Sequence, residues 1–170
     1  KLEVSYVRPS DLALNPRNAR KHSDKQITQI KGSIATFGFT NPVLADENRC
    51  LIAGHGRLLA AKELGLESIP VIMISYLTAS QKRALVIADN KIAMNSSWDM
   101  EILSEELKIL STPEIEFDVS ITGFETAEID LIVDPPGPLA KSDAADAVPA
   151  IDRAKPAITL PGDLWICGRH

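Results

Sequence analysis

Cys50-Leu51-Ile52-Ala53-Gly54-His55-Gly56-Arg57-Leu58-Leu59-Ala60 is the stretch whose reading decides the fold. Four residues without a formal charge read as a short strand. Two glycines then bracket a histidine, and the Gly54 turn starts a helix that buries Leu58, Ala61 and Leu64 and stops at Gly65. A strand that turns through glycine into a helix places the first helical N–H groups outward, with no partner inside the helix. The aligned peptide dipoles add about half a positive charge at that end. Glycine lets a ligand approach the backbone closely, and an arginine fork suits phosphate oxygens. The turn is therefore an anion site, with a nucleotide phosphate as the expected ligand. It is not a Walker A loop, because no Gly-x-x-x-x-Gly-Lys-Ser/Thr is present. Taken alone, Gly-His-Gly is also compatible with a tight turn carrying an exposed histidine.

Upstream, Pro42–Ala45 reads as a strand joined to Cys50–Ala53 by the polar turn Asp46–Arg49. Before it, Ser23 and Gln26 form a capping box for a helix with Ile27, Ile30, Ile34 and Phe37 on one face and Gly38 at its end. Residues 8–24 read as a polar loop, and Leu2–Val7 as an alternating strand. Downstream, Pro70–Ile74 is a buried strand by its continuous apolar run. Thr78 and Gln81 cap a helix to about Met94 with Leu85, Ala88 and Ile92 inward. Ser97 is expected to cap a further helix carrying Met100, Leu103, Leu107 and Leu110, and Phe124, Ile129, Ile132 and Val133 suggest a final short one. Residues 134–159, rich in Pro, Ala and Asp, read as a linker.

The net charge of -5 is unevenly spread. Residues 1–91 carry 13 Lys and Arg against 8 Asp and Glu, whereas residues 92–133 carry 1 against 10. The basic part suits anionic partners, and the acidic part repels a DNA backbone. No apolar run reaches membrane-spanning length, and the first residues show no signal-peptide pattern. Cys50 and Cys167 have no metal-ligand spacing, so a reducing, cytoplasmic setting is expected. The chain begins with Lys1, which points to a piece of a longer protein.

Two further segments carry chemistry. Arg17 and Arg20 lie in the loop Asn15–Arg20, as phosphate ligands or as solvated cations. Asp89-Asn90-Lys91 offers oxygen ligands for magnesium and a cation for phosphate, or the polar face of an amphipathic helix. His55 is in addition a candidate general acid or base.

Together these segments resemble the N-terminal domain of the ParB family, within the ParB/sulfiredoxin-like superfamily. Asn15-Pro16-Arg17-Asn18-Ala19-Arg20 is similar to its Asn-Pro-x-Gln-Pro-Arg box. Ser33-Ile34, Gly38 and Pro42-Val43 fit its Ser-Ile…Gly…Pro-Val segment. Gly54-His55-Gly56-Arg57 stands where the family has Gly-Glu-Arg-Arg, and Asp89-Asn90 where it has Glu-Asn. The boxes fall in the family's order over residues 2–95. The resemblance implies an α+β fold, a small mixed β-sheet flanked by helices. It implies a nucleoside triphosphate, CTP or ATP, bound with magnesium. Arg17, Arg20, Gly54, His55, Gly56, Arg57, Asn90 and Lys91 are the expected nucleotide ligands, and Asp89 and Asn90 the magnesium ligands. The chain departs from the pattern at His55, Gly56 and Ala93, where the family has Glu, Arg and Arg. Sulfiredoxins carry their catalytic cysteine where His55 stands, so sulfinic-acid repair is not expected here.

Residues 1–95 are thus expected to form a ParB-like nucleotide-binding domain, 96–133 an acidic helical extension without a helix-turn-helix, and 134–159 a linker. Residues 160–170 resemble the first strand of a DNA-modification methyltransferase. S-adenosylmethionine would belong to the missing half. The chain itself has neither a Gly-rich cofactor loop nor an Asp-Pro-Pro-aromatic tetrad, since Asp134-Pro135-Pro136 runs into Gly137. The expected function is a nucleotide-binding module ahead of a methyltransferase, coupling nucleotide to DNA engagement. DNA binding by the chain is expected to be weak and non-specific, with homodimer formation left open. The alternatives are a metal-dependent nuclease or NTPase using His55, and an interaction domain with a vestigial site.

Overall fold

A computed structural model describes residues 2–135. The expected linker beyond residue 135 and the methyltransferase-like residues 160–170 lie outside the described residues.

Four strands, β1 (Val4–Val7), β2 (Val43–Ala45), β3 (Leu51–Ala53) and β4 (Ile69–Met73), form one mixed sheet in the order β1-β4-β2-β3. β1 pairs antiparallel with β4, β4 parallel with β2, and β2 antiparallel with β3. The hairpin between β2 and β3 is held by the Asp46 carboxylate, which accepts from the backbone N–H groups of Asn48 and Cys50 at 2.9 Å each. This Asx-type turn competes well with continued strand and fixes the register that delivers Ala53 to Gly54.

Helices α1 (Asp24–Phe37) and α2 (His55–Glu63) lie on one side of the sheet, and α3 (Ala79–Ala93) on the other. On the first side Leu58 and Ala61 of α2 pack with Val43, Ala45, Leu51, Ile69 and Val71. On the second, Val86 of α3 packs with Ile52 and Ile74. The mixed sheet flanked by helices is the expected α+β fold. Helices α4 (Met100–Leu110) and α5 (Thr126–Val133) pack on each other, and the 3-10 turn Val119–Thr122 before α5 rests on α1. There Ile121 occupies the space a side chain at Gly32 would need, and Gln29 donates to the Gly123 carbonyl at 3.2 Å.

Several local expectations are corrected. The loop of residues 8–24 is not wholly polar surface. Leu12 is core, and Ala13 bridges to Cys50 beside β3, which anchors the loop to the sheet. On α3 the buried residue is Val86 rather than Ile92, which is 68% exposed. Val86 packs with Ile52 and Ile74, whereas Ile92 lies six residues further along α3, outside that cluster. Leu64 is exposed at the end of α2. Asp99, not Ser97, caps α4, accepting from the N–H groups of Glu101 and Ile102. At α1 the Ser23 hydroxyl accepts from Gln26 N–H, but the Gln26 side chain does not close the box. It hydrogen-bonds the His22 ring instead, at 3.0 Å.

Candidate functional site: an anion cleft at the start of α2

The site begins with the backbone of Gly54. Its φ of +90° lies in the left-handed region, where a Cβ is strained. A Cβ there would also stand 2.7 Å from Val43 Cγ1 and 3.1 Å from an Arg57 nitrogen. Gly54 therefore turns β3 into α2 in a space no other residue fits. Gly56 is buried and close to α1: a Cβ would meet Ile30 Cδ1 at 2.9 Å and His22 Nδ1 at 3.2 Å. The two glycines keep open a cleft of 330 Å³ at the α2 N-terminus.

Its walls come from three elements. α1 and the loop before it supply His22 and Gln26, preceded by Asn18 and Arg20; α2 supplies Gly54–Arg57; α3 supplies Asp89, Asn90 and Met94. Arg57 is the central cation. Its Nε is buried with no hydrogen-bond partner, and one Nη reaches only the Pro42 carbonyl at 3.4 Å. Burial lowers its pKa from the ordinary arginine value, and Asp89 across the cleft opposes that shift. A buried unpaired donor on a cation costs about 1–3 kcal/mol or more, so this guanidinium is set for an anionic acceptor. Arg20 reaches across to α3, with a guanidinium nitrogen 3.4 Å from Met94 Sδ.

The expected site residues divide. Arg20, Gly54, His55, Gly56, Arg57, Asp89 and Asn90 line the cleft together. Two do not. Arg17 lines a separate hollow with Asp46, Cys50, Lys82 and Arg83, and its backbone N–H donates to the Asn15 carboxamide oxygen at 2.9 Å. Lys91, with Lys21, lines an adjoining hollow that shares Arg20, Asn90 and Met94 with the cleft. His55 is 6% exposed, and its Nε2 accepts from the Asn15 backbone N–H at 3.3 Å. Burial, followed by the neighbouring His22, lowers its pKa below the ordinary histidine value. Asn90 spends its amide on the Val86 carbonyl at 2.8 Å, which leaves its oxygen as an acceptor.

His22, Gln26 and Asn18 are cleft residues that sequence reasoning missed. The signal for His22 was its place in the basic run Arg20-Lys21-His22 directly before the Ser23 cap. Cys50 lies outside the cleft, and burial and then Asp46 raise its pKa, so its thiol is not an activated nucleophile. Among the described residues no three His, Cys, Asp or Glu side chains gather as metal ligands. No described helix is long and apolar enough to cross a membrane.

The mixed sheet and the glycine-lined cleft at the start of α2 are those expected of a ParB-like domain. The ParB N-terminal domain family matches residues 1–91, and the chain belongs to that family. The ParB-methyltransferase HTH domain matches residues 101–161. That match overlaps the segment expected to be an acidic extension without a helix-turn-helix, and it takes in α5 and all of α4 but Met100. The chain is similar to the ParB-like nuclease domain-containing protein YnaK of Escherichia coli, 48% identical over 83 residues, which cover 49% of this chain and 95% of that protein. It is 29% identical over 91 residues to the stage 0 sporulation protein J of Bacillus subtilis, covering 51% of this chain and 32% of that one. Its fold matches that of the C-terminally truncated chromosome-partitioning protein ParB of Caulobacter crescentus complexed with CTP-gamma-S. The TM-score is 0.63 at 18% identity, over 77% of both chains.

Proposed function

We propose that the chain is a nucleotide-binding module that holds the phosphates of a nucleoside triphosphate at the start of α2. The observation that carries this reading is the buried, unpartnered Nε of Arg57 beside the side-chain-free walls of Gly54 and Gly56. An anion is the partner that satisfies both the guanidinium and the outward N–H groups of the first helical turn. The match of fold to a ParB complexed with CTP-gamma-S supports a cytidine nucleotide first, with ATP as the alternative. Arg20 and Arg57 are the phosphate cations, and Gly54, His55 and Gly56 form the cradle. Arg17 and Lys91 stay outside it and act, if at all, on a DNA backbone.

The donors fit a magnesium ion that arrives with the nucleotide. Asp89 and Asn90 present hard oxygens on the cleft wall, and magnesium takes one or two such ligands beside phosphate oxygens. Bound there, the ion would neutralise phosphate charge that the two arginines leave uncovered. The protein's own part is to bind, orient and partly enclose the phosphates.

The segment after the cleft, residues 96–133, is the proposed route from nucleotide to DNA, and the longer protein is proposed to carry a methyltransferase. The helix-turn-helix match to 101–161 supports both. A nuclease or NTPase reading has less support, because the Nε2 lone pair of His55 is already engaged. The test is calorimetric titration of the chain with CTP and ATP in magnesium, with turnover of each nucleotide followed in parallel. Saturable binding without hydrolysis is expected; hydrolysis would favour the enzyme reading.

A further inference from the structure

Loop Asn15–Arg20 carries Arg20 into the cleft, yet few side-chain contacts tie it to the body of the domain. Asn15 and Asn18 mostly stitch the loop to itself: the Asn15 oxygen accepts from Arg17 N–H at 2.9 Å, and the Asn18 oxygen from Arg20 N–H at 3.2 Å. The hydrogen bond that reaches from the loop to α2 is Asn15 N–H to His55 Nε2. Because Nε2 accepts, it is the bare nitrogen, and the ring's proton sits on Nδ1. A second proton, taken from water, can go only to Nε2. It would turn the acceptor into a donor facing another donor.

We infer that His55 is a protonation-sensitive pin, whose bare Nε2 holds the Asn15–Arg20 loop, and with it Arg20, against the cleft and releases it when the ring becomes a cation. His55 is a positioning residue in this account; it acts through the loop. The groups around the cleft near it are His22 ahead of α1, Arg20 in the loop, Arg57 on α2 and Asp89 on α3. Arg20 and Arg57 are cations, so they oppose a positive charge on His55 and shift the release to acidic pH. The lowered pKa of His55, set by burial and then by His22, agrees with this. The inference rests on the phosphate reading of the cleft only for its effect on binding; the pin itself is a property of the unliganded chain.

The test compares wild type with H55Q, whose amide oxygen falls near the Nε2 position and accepts without titrating. In nucleotide-free chain 1–170, the Asn15 and Arg20 amide resonances are followed between pH 7.5 and 5. They are expected to move together with the His55 ring in wild type, and to stay in place in H55Q. His22 is retained in both, so its contribution is common to the two proteins. CTP with magnesium is then titrated calorimetrically at pH 7.5 and 5.5. The ratio of the two affinities is expected to be about three- to tenfold larger for wild type than for H55Q, the scale of one hydrogen bond. Titration of the nucleotide's own phosphates cancels in that comparison. An Asn15 amide indifferent to the His55 titration, or equal movement in H55Q, would overturn the pin. So would wild-type CTP affinity that rises on acidification relative to H55Q, since His55 would then be a phosphate ligand. Absence of CTP binding at either pH would count against the nucleotide reading alone, and the resonance titration would still decide the pin.

Discussion

Replacing Arg57 by methionine separates a ligand-binding role from a structural one. Methionine keeps most of the apolar stem that packs under the cleft and removes the guanidinium. In the unliganded chain the guanidinium gives little back. Nε has no partner, the Pro42 contact is long at 3.4 Å, and Asp89 is exposed. A weak hydrogen bond and a solvent-screened attraction are each worth about 0.5–1 kcal/mol, while the unpaired buried donor costs about 1–3 kcal/mol. The terms nearly cancel, so R57M is expected to leave the unfolding free energy within about 1 kcal/mol of wild type. With phosphate present the balance changes. Charge-assisted hydrogen bonds contribute about 1.5–3 kcal/mol, so nucleotide affinity should fall about ten- to a hundredfold. Urea denaturation measures the first quantity and calorimetry with CTP and magnesium the second. Loss of several kcal/mol of stability with unchanged affinity would refute the reasoning and make Arg57 a structural residue.

Other substitutions follow from the same geometry. G54A introduces a Cβ 2.7 Å from Val43 Cγ1 at φ +90°, and should destabilise the fold by about 1–3 kcal/mol in urea denaturation. Burial lowers the His55 pKa, so the unfolded chain takes up the proton first. That contribution to stability is complete above about pH 6.5 and is lost as pH falls through the lowered folded value. Denaturation midpoints at pH 7.5 and 5.5 should therefore fall more in wild type than in H55Q. D89N removes the charged oxygen ligand while sparing Arg57, so the gain in CTP affinity on adding magnesium should shrink, as titrations with and without the ion would show.

The parts of the fold set by local chemistry were legible in the sequence. Thr78 and Gln81 close a complete capping box, and Gly38 and Gly54 mark the end of α1 and the turn into α2. Those devices act within four residues, so pattern reading finds them. Ser23 and Gln26 show the boundary of that method. The same motif stands there, but the glutamine turns to His22 at the cleft, a choice made by tertiary contact. Ile92 fits the helical period of α3, yet it is exposed, and Val86 is the residue that packs with Ile52 and Ile74. Leu12 is hidden in a polar run because one bridge, Ala13 to Cys50, pulls it into the core. In the site, the meeting of Gly54, Gly56 and Arg57 at one helix start was readable because they stand next to one another in the chain. Arg17 and Lys91 line neighbouring hollows rather than the cleft, because the direction of the chain at these positions is not written in residue type.

The central claim is that a nucleotide's phosphates rest on the first turn of α2. It is tested most directly by following the backbone amide resonances of chain 1–170 while CTP and magnesium are added. The account predicts that the Gly54, His55, Gly56 and Arg57 amides shift first and most, saturating together at one nucleotide per chain. Binding that leaves those four amides unmoved, or no saturable shift at millimolar CTP, ATP or GTP, would contradict it.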